Sequence, residues 1–368
     1  MSEQIVLFAE EDVQWRMLET AINGEPTPKV LDALRYFFGE DIKPHLDYLV
    51  SIPKLVGLPP SFRGVVCDKE DKLPTLISNA DYLIVERVKI NYDLLKYGQG
   101  RLKFIQKHGG DYSNIDIEAA KKLGISVGYF RRISTIFIAE HILALIFALS
   151  RNLIFAHETA KNRINAVDGL SSQGPPRTKF NWGKVPKIQL VQGKTLGLVG
   201  FGENAFEVAK AAYNAGMKIT YYQRHRAMTE WEKTVEARYI PSLKEIVHEA
   251  DFTSIHVPYY SATEKMINLE ILSCMKPTSF LINSSRGGIV DEQALYEVLN
   301  GNKIAGAALD VYRWEPIPSD CPLLKLGNVI WTTHNAAGSN DIIHQENVEV
   351  LAHIAKVARG EKPDHILV

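Results

Sequence analysis

Residues Gly200, Gly202 and Ala205, in "GLVGFGENA", have the spacing of a turn that receives a pyrophosphate. In such a turn the first glycine makes the bend and the second lets backbone approach the phosphates, while the third position needs only a small residue where helix packs on strand. The flanks agree: the apolar run "TLGLVG" leads in, "FEVAKAAYNAGM" reads as a helix leading out, and "KITYYQ" reads as a second strand. Glu203 and Asn204 complete the turn, and the helix start behind them would aim unpaired N–H groups at an anion. The pattern implies a bound dinucleotide; a glycine-rich turn without a ligand is the alternative.

Which dinucleotide depends on the residue about 20 positions on, where an acidic side chain would accept from the adenosine ribose hydroxyls. That place holds Gln223, followed by Arg224, His225 and Arg226. Glutamine does not repel a 2′-phosphate, and Arg224 and Arg226 offer it charge-assisted hydrogen bonds. The expectation is NADP(H) in preference to NAD(H). The other reading of "QRHR" is a solvated loop after a strand.

The elements that must position these residues follow an α/β pattern. "IVLFAE" (5–10), "DYLIVER" (81–87) and "LKFIQKHG" (102–109) read as buried strands, alternating with helical segments in a mostly parallel sheet. A long apolar helix is expected at about 134–158, and a loop rich in Gly, Pro and Ser at 163–192. A second α/β run extends from "KTLGLVGFG" to about residue 332, and a final helix ends at Gly360.

Three later segments carry further polar residues: "LINSSRGGIVDEQAL" (281–295), "GAALDVYRWEP" (306–316) and "TTHNAAGS" (332–339). In this order, with "GLVGFGENA", "ADFTSIHVP" (250–258), "RLKFIQKHGGDYSNIDIEAAKKLGISV" (101–127) and "IAEHILALIFALSRN" (138–152), they resemble the D-isomer-specific 2-hydroxyacid dehydrogenase family over nearly the whole chain. The resemblance implies two Rossmann-like, doubly wound parallel-sheet domains with a cleft between them. Residues 137–332 would form the dinucleotide-binding domain, and residues 1–136 with 333–368 a discontinuous substrate domain. It also implies hydride transfer between a nicotinamide cofactor and a 2-keto acid or D-2-hydroxy acid, in a homodimer. By position, Arg286 matches the arginine that binds the substrate carboxylate and carbonyl oxygen, His334 the acid/base histidine, and Glu315 the glutamate paired with it. Asp310 matches the aspartate that holds the nicotinamide carboxamide, and His256, Pro258 and Ser284 lie in cofactor-side segments.

The residue types support these roles independently. Reducing a ketone by hydride requires a proton at the oxygen as charge develops there, and histidine can carry one near neutral pH. A carboxylate beside it favours the imidazolium and fixes the ring tautomer. Arginine is always charged and can take a carboxylate through two parallel bonds. The alternatives are a surface ion pair for Arg286, a turn residue before Pro316 for Glu315 and a satisfied core histidine for His334.

Departures from the family fall in the substrate half. The glycine-rich loop expected to receive the substrate carboxylate reads His108-Gly109-Gly110-Asp111, placing an acid where a glycine is usual. Phe130-Arg131-Arg132 replaces a proline–glycine pair, and the two arginines would either accept a second acidic group or stay solvated. Thr333 stands where proline usually precedes the histidine, and the 163–192 loop would cover the cleft or serve a dimer contact. These departures keep open a different substrate class on the same fold. A dinucleotide-sensing, corepressor-like binding protein is the rival from another class.

The whole chain narrows the setting. With 42 basic and 43 acidic residues there is no global field favouring nucleic acid or an anionic membrane. Glu140 and His141 interrupt the apolar stretch 133–150, which therefore reads as a buried helix and not a membrane span. Cys67, Cys274 and Cys321 lack paired spacing, so neither a disulfide framework nor a metal site is expected, and a reducing, cytoplasmic compartment is. No secretory signal is expected from the opening residues "MSEQIVLFAEEDVQW".

Overall fold

The β-branched runs form short strands buried on both faces, as parallel strands lying under helices must be. The computed structural model describes residues 3–110, 112–130, 132–162, 180–338, 340–363 and 365–368, with the side chains of residues 340 and 341 excepted. Asp111, Arg131 and residues 163–179 of the long loop lie outside the described residues. The chain forms two units, Met1–Ile133 with Ser339–Val368, and Ser134–Gly338.

In the first unit the strands are β1 (Gln4–Phe8), β2 (Phe62–Val66), β3 (Tyr82–Val85), β4 (Phe104–His108) and β5 (Ser126–Phe130). Their order is β2-β1-β3-β4-β5 with every pairing parallel, a doubly wound sheet whose order reverses between β1 and β3. The strand β2 has no counterpart among the expected runs, because Arg63, exposed, and Gly64 interrupt its apolar sequence. The helix Val13–Asn23 is capped by the Asp12 side chain and ends at left-handed Gly24. It buries Trp15 and Leu18 in one core with Phe104 and Phe130 of the sheet and Val350, Leu351 and Ile354 of the terminal helix Asn340–Ala358.

The second unit holds β6 (Thr195–Val199), β7 (Lys218–Tyr222), β8 (Arg238–Tyr239), β9 (Phe252–Ile255), β10 (Phe280–Asn283), β11 (Gly306–Leu309) and β12 (Val329–Trp331). The order β12-β11-β10-β9-β6-β7-β8 is again all parallel and reverses between β6 and β9. A crevice beyond the carboxyl ends of the strands at such a reversal is where doubly wound sheets bind ligands. The helix expected at about 134–158 is two helices, Ser134–Arg151 and Leu153–Asn162. The break is Asn152, at φ +48°, a left-handed conformation that asparagine tolerates and that its side-chain bond to the Pro186 carbonyl supports. Helix Ser134–Arg151 is long and apolar enough to cross a membrane by length and composition. Ile142, Leu145 and Ile146 on it are nonetheless buried in the core that the helix Glu203–Asn214 shares.

Candidate functional site

Strand β6 delivers Gly200 at φ +95°, and a Cβ there would lie 2.9 Å from the His256 carbonyl, so only glycine fits. Its N–H bonds the Tyr222 carbonyl at 2.7 Å, while His256 N–H bonds Val199, clamping the turn between β7 and β9. At Gly202, by contrast, a Cβ would meet nothing within 4 Å. Gly202, which has no side chain to offer as a cap, precedes the helix Glu203–Asn214. Ala205 is fully buried under the turn, and the Oδ1 of Asn204 is buried with no partner. An open backbone face at Gly202, a helix start directly behind it and the unpartnered Asn204 oxygen together fit the pyrophosphate of a dinucleotide.

Beyond β7, Gln223 Oε1 accepts the Phe201 N–H at 3.1 Å. This bond fixes the amide so that its nitrogen, a donor only, remains for a ligand. The two arginines expected here part company. Arg226 makes a paired contact with Glu232, Nε to Oε1 at 2.8 Å and a second nitrogen to Oε2 at 2.9 Å. Tyr221 also donates to Glu232. Arg226 and then Tyr221 hold the Glu232 carboxyl below its ordinary range, and burial with that carboxylate pushes the Tyr221 phenol up to about 12. Arg226, expected as a phosphate partner, is thus already committed to a carboxylate. Arg224 is exposed, with its guanidinium carbon 5.9 Å from the centre of the Tyr260 ring.

Of the other cofactor-side residues, His256 bonds the Ser254 hydroxyl at 2.9 Å, and burial pushes its imidazole down to about 4. Pro258 is exposed and accepts from Thr263 through its carbonyl, while Ser284 is half-buried just past β10. Asp310 is fully buried. Its Oδ1 accepts from the Thr332 hydroxyl at 2.6 Å and the Asn335 N–H at 3.0 Å, and its Oδ2 from the Ala336 N–H at 3.0 Å. A carboxylate so engaged fastens the 332–336 loop, a use beyond the nicotinamide contact expected of it.

The polar residues from three separate segments meet at one pocket of about 450 Å³, lined by Arg286, Glu315 and His334 among others. His334 Nδ1 lies 2.6 Å from Glu315 Oε2, and Glu315 Oε1 accepts the Tyr312 N–H at 2.9 Å. Both carboxylate oxygens are therefore used, and the imidazole is held by one nitrogen with Nε2 left over. Gly287 brings Arg286 alongside: a Cβ there would lie 1.9 Å from the carbonyl carbon of Tyr312. The Arg286 loop thus packs directly on the loop carrying Glu315, and the Arg286 guanidinium donates to the Ser285 carbonyl at 2.6 Å.

Of the substrate residues expected in the first unit, Gly109 and Gly110 follow β4 and Arg132 follows β5. Gly109 has φ +103° and bonds the Phe130 carbonyl, and Gly110 follows it. Arg132 is half-buried and pairs with Glu86 at 3.1 Å. Burial nevertheless raises the Glu86 carboxyl, with Arg132 and Arg87 opposing. The residues whose part was not foreseen are Glu232, Tyr260, Thr332 and Gly287. Only Gly287 left a signal, in the doubled glycine of "SRGG".

Sequence comparison agrees with this geometry. Residues 143–336 match the model of the D-isomer specific 2-hydroxyacid dehydrogenase, NAD binding domain. The chain is 36% identical over 268 residues to a glyoxylate reductase of Korarchaeum cryptofilum, covering 73% of this chain and 76% of that one. It is 34% identical over 292 residues to a hydroxypyruvate reductase of Thermotoga maritima, covering 78% and 88%. The apo D-mandelate dehydrogenase of Rhodotorula graminis shares the fold, with a TM-score of 0.59, 21% identity and coverage of 100% and 98%. The chain belongs to the D-isomer specific 2-hydroxyacid dehydrogenase family. It is an oxidoreductase that uses a nicotinamide cofactor on small 2-hydroxy or 2-keto acids.

Proposed function

We propose that the protein reduces a 2-keto acid to the D-2-hydroxy acid with NADPH in preference to NADH, using His334 as proton donor. The observation that carries this reading is the 2.6 Å contact between His334 Nδ1 and Glu315 Oε2 on the pocket that Arg286 also lines. With Nδ1–H held by the carboxylate, Nε2 is the atom that gives its proton to the keto oxygen. Arg286 would take the substrate carboxylate and polarise the carbonyl, its fixed charge opposing the charge that develops on oxygen. Gly200, Gly202 and the start of the helix Glu203–Asn214 would hold the pyrophosphate. The nicotinamide, when bound, supplies the hydride.

The NADPH preference rests on Gln223 and Arg224. The free Gln223 amide nitrogen can donate to a 2′-phosphate and cannot accept from a ribose hydroxyl. Arg224 adds an exposed cation that makes no ion pair among the described residues. The exposed apolar residues Phe147, Leu153, Ile154 and Leu190 support a homodimer built on this unit. The free cysteines Cys67, Cys274 and Cys321 support a reducing, cytoplasmic setting. The direct test is a panel of keto acids (glyoxylate, hydroxypyruvate and phenylpyruvate) run with each reduced cofactor and followed at the nicotinamide absorbance. Turnover of at least one acid, faster with NADPH, is expected, and inertness toward all of them with both cofactors would refute the reading.

A further inference from the structure

We propose that His141 and Thr332, joined through the buried Asp310 carboxylate, form a clamp that holds His334 in its working position. This makes His141 a positioning residue, and the proposal rests on the reading of His334 as the proton donor. His334 has φ +56°, a left-handed backbone that a residue other than glycine keeps only when its surroundings impose it. The surroundings that do so converge on one side chain. Asp310 accepts from the N–H groups of Asn335 and Ala336, the two residues after His334, and from the hydroxyl of Thr332, two residues before it. One carboxylate thus ties both sides of the turn whose apex carries His334.

His141 completes the arrangement from 191 residues away. Its Nε2 lies 3.3 Å from Thr332 Oγ1 and 3.6 Å from Asp310 Oδ1. A threonine hydroxyl has one proton, and here it goes to Asp310, so the bond to His141 must be donated by the imidazole. That requirement sets the Nε2–H tautomer of His141 and excludes an acid/base role for this nitrogen at the pocket. The ring is carried by the helix Ser134–Arg151, next to Ile142, which is fully buried in the core. A rigid helix therefore fixes the Thr332 hydroxyl, the hydroxyl orients Asp310, and Asp310 fixes the His334 turn. Neither His141 nor Thr332 lines the pocket that contains His334.

The test compares the full-length native protein with His141→Leu, His141→Gln and Thr332→Val, by steady-state keto-acid reduction and by hydrogen–deuterium exchange of residues 329–338 without cofactor. In His141→Leu and Thr332→Val the account expects faster exchange in 329–338 and kcat lower by on the order of 10-fold, since a lost bond loosens the donor's placement. The affinity for the reduced cofactor should hold. His141→Gln, whose amide can donate to Thr332 in place of the ring, should recover most of both losses. Unchanged exchange in both variants, or a loss confined to cofactor affinity, would overturn the clamp. If the native protein reduces no keto acid while the variants still exchange faster, the clamp stands and the reading of His334 falls.

Discussion

Glu315 holds His334 through Nδ1 at 2.6 Å while its other oxygen is tied to the Tyr312 backbone, so a single carboxylate orients the ring and is itself oriented. Replacing it by the isosteric amide keeps the shape and removes the charge. Glu315→Gln should lower kcat by about 10- to 100-fold, the worth of one charge-assisted bond, with little change in cofactor affinity. Steady-state kinetics with a turned-over keto acid checks this, and a kcat within twofold of the native value would remove Glu315 from the mechanism.

The place of Arg286 depends on a glycine. In Gly287→Ala the new methyl would stand 1.9 Å from the Tyr312 carbonyl carbon, forcing the arginine loop away from the loop that bears Glu315. Displacement on the ångström scale costs on the order of 10²-fold in rate, and kcat/KM should fall by about that factor. The circular dichroism spectrum should stay native, since the two loops lie outside the strands. Full activity in this variant would show that Arg286 and Glu315 need not be neighbours.

The two arginines after β7 should separate in a cofactor experiment. Arg224→Ala should cut the NADPH-to-NADH ratio of kcat/KM by on the order of 10-fold, the low end for a charge-assisted bond at a screened surface. Arg226→Ala should leave that ratio alone and instead lower thermal stability, because it leaves the Glu232 carboxylate, 7% exposed, without its cation and with only the Tyr221 hydroxyl bonded to it. A ratio that follows Arg226 and ignores Arg224 would reverse the assignment.

Stability should depend on pH through His108. Burial first, then the Arg132 and Lys107 charges, pushes this imidazole down to about 3. An unfolded histidine titrates near 6.5. The folded form binds the proton less readily, so the stabilisation is complete above the unfolded value and is lost as pH falls below it toward 3. The slope in that window is at most about 1.4 kcal/mol per pH unit for one proton. His108→Phe, a substitution suited to the Trp15 and Phe130 rings beside it, should flatten the fall in denaturation midpoint between pH 7 and 5. An equally steep fall in the variant would mean that other groups govern acid unfolding.

How far the sequence could be read depended on how local the cause was. The Gly200–Ala205 turn was legible because strand, turn and helix are contiguous and Gly200 has a backbone reason to be glycine. Glu315 and His334 were legible because each stands in a recognisable run, "RWEP" and "TTHNAAG". The pairing of Arg226 with Glu232 was not, since a glutamate in a short helix reads as an ordinary surface charge until the chain folds back. The same holds for Arg132 with Glu86, which lie just beyond the ends of two different strands, β5 and β3. Asp310 was found by position but not by its partners, because Thr332 follows the neighbouring strand β12 and His141 comes from a helix far back in the chain. The broken helix at Asn152 was hidden by apolar residues continuing on both sides.

The central claim, that His334 is the proton donor for reduction of a 2-keto acid, is tested most directly by His334→Ala. The measurement is keto-acid turnover with NADPH, paired with a cofactor-binding titration on the same preparation. A fall in kcat of roughly 10²–10⁴-fold, the usual contribution of a positioned acid, is expected with cofactor affinity unchanged. Undiminished turnover, or a loss that follows from failure to bind NADPH, would contradict it.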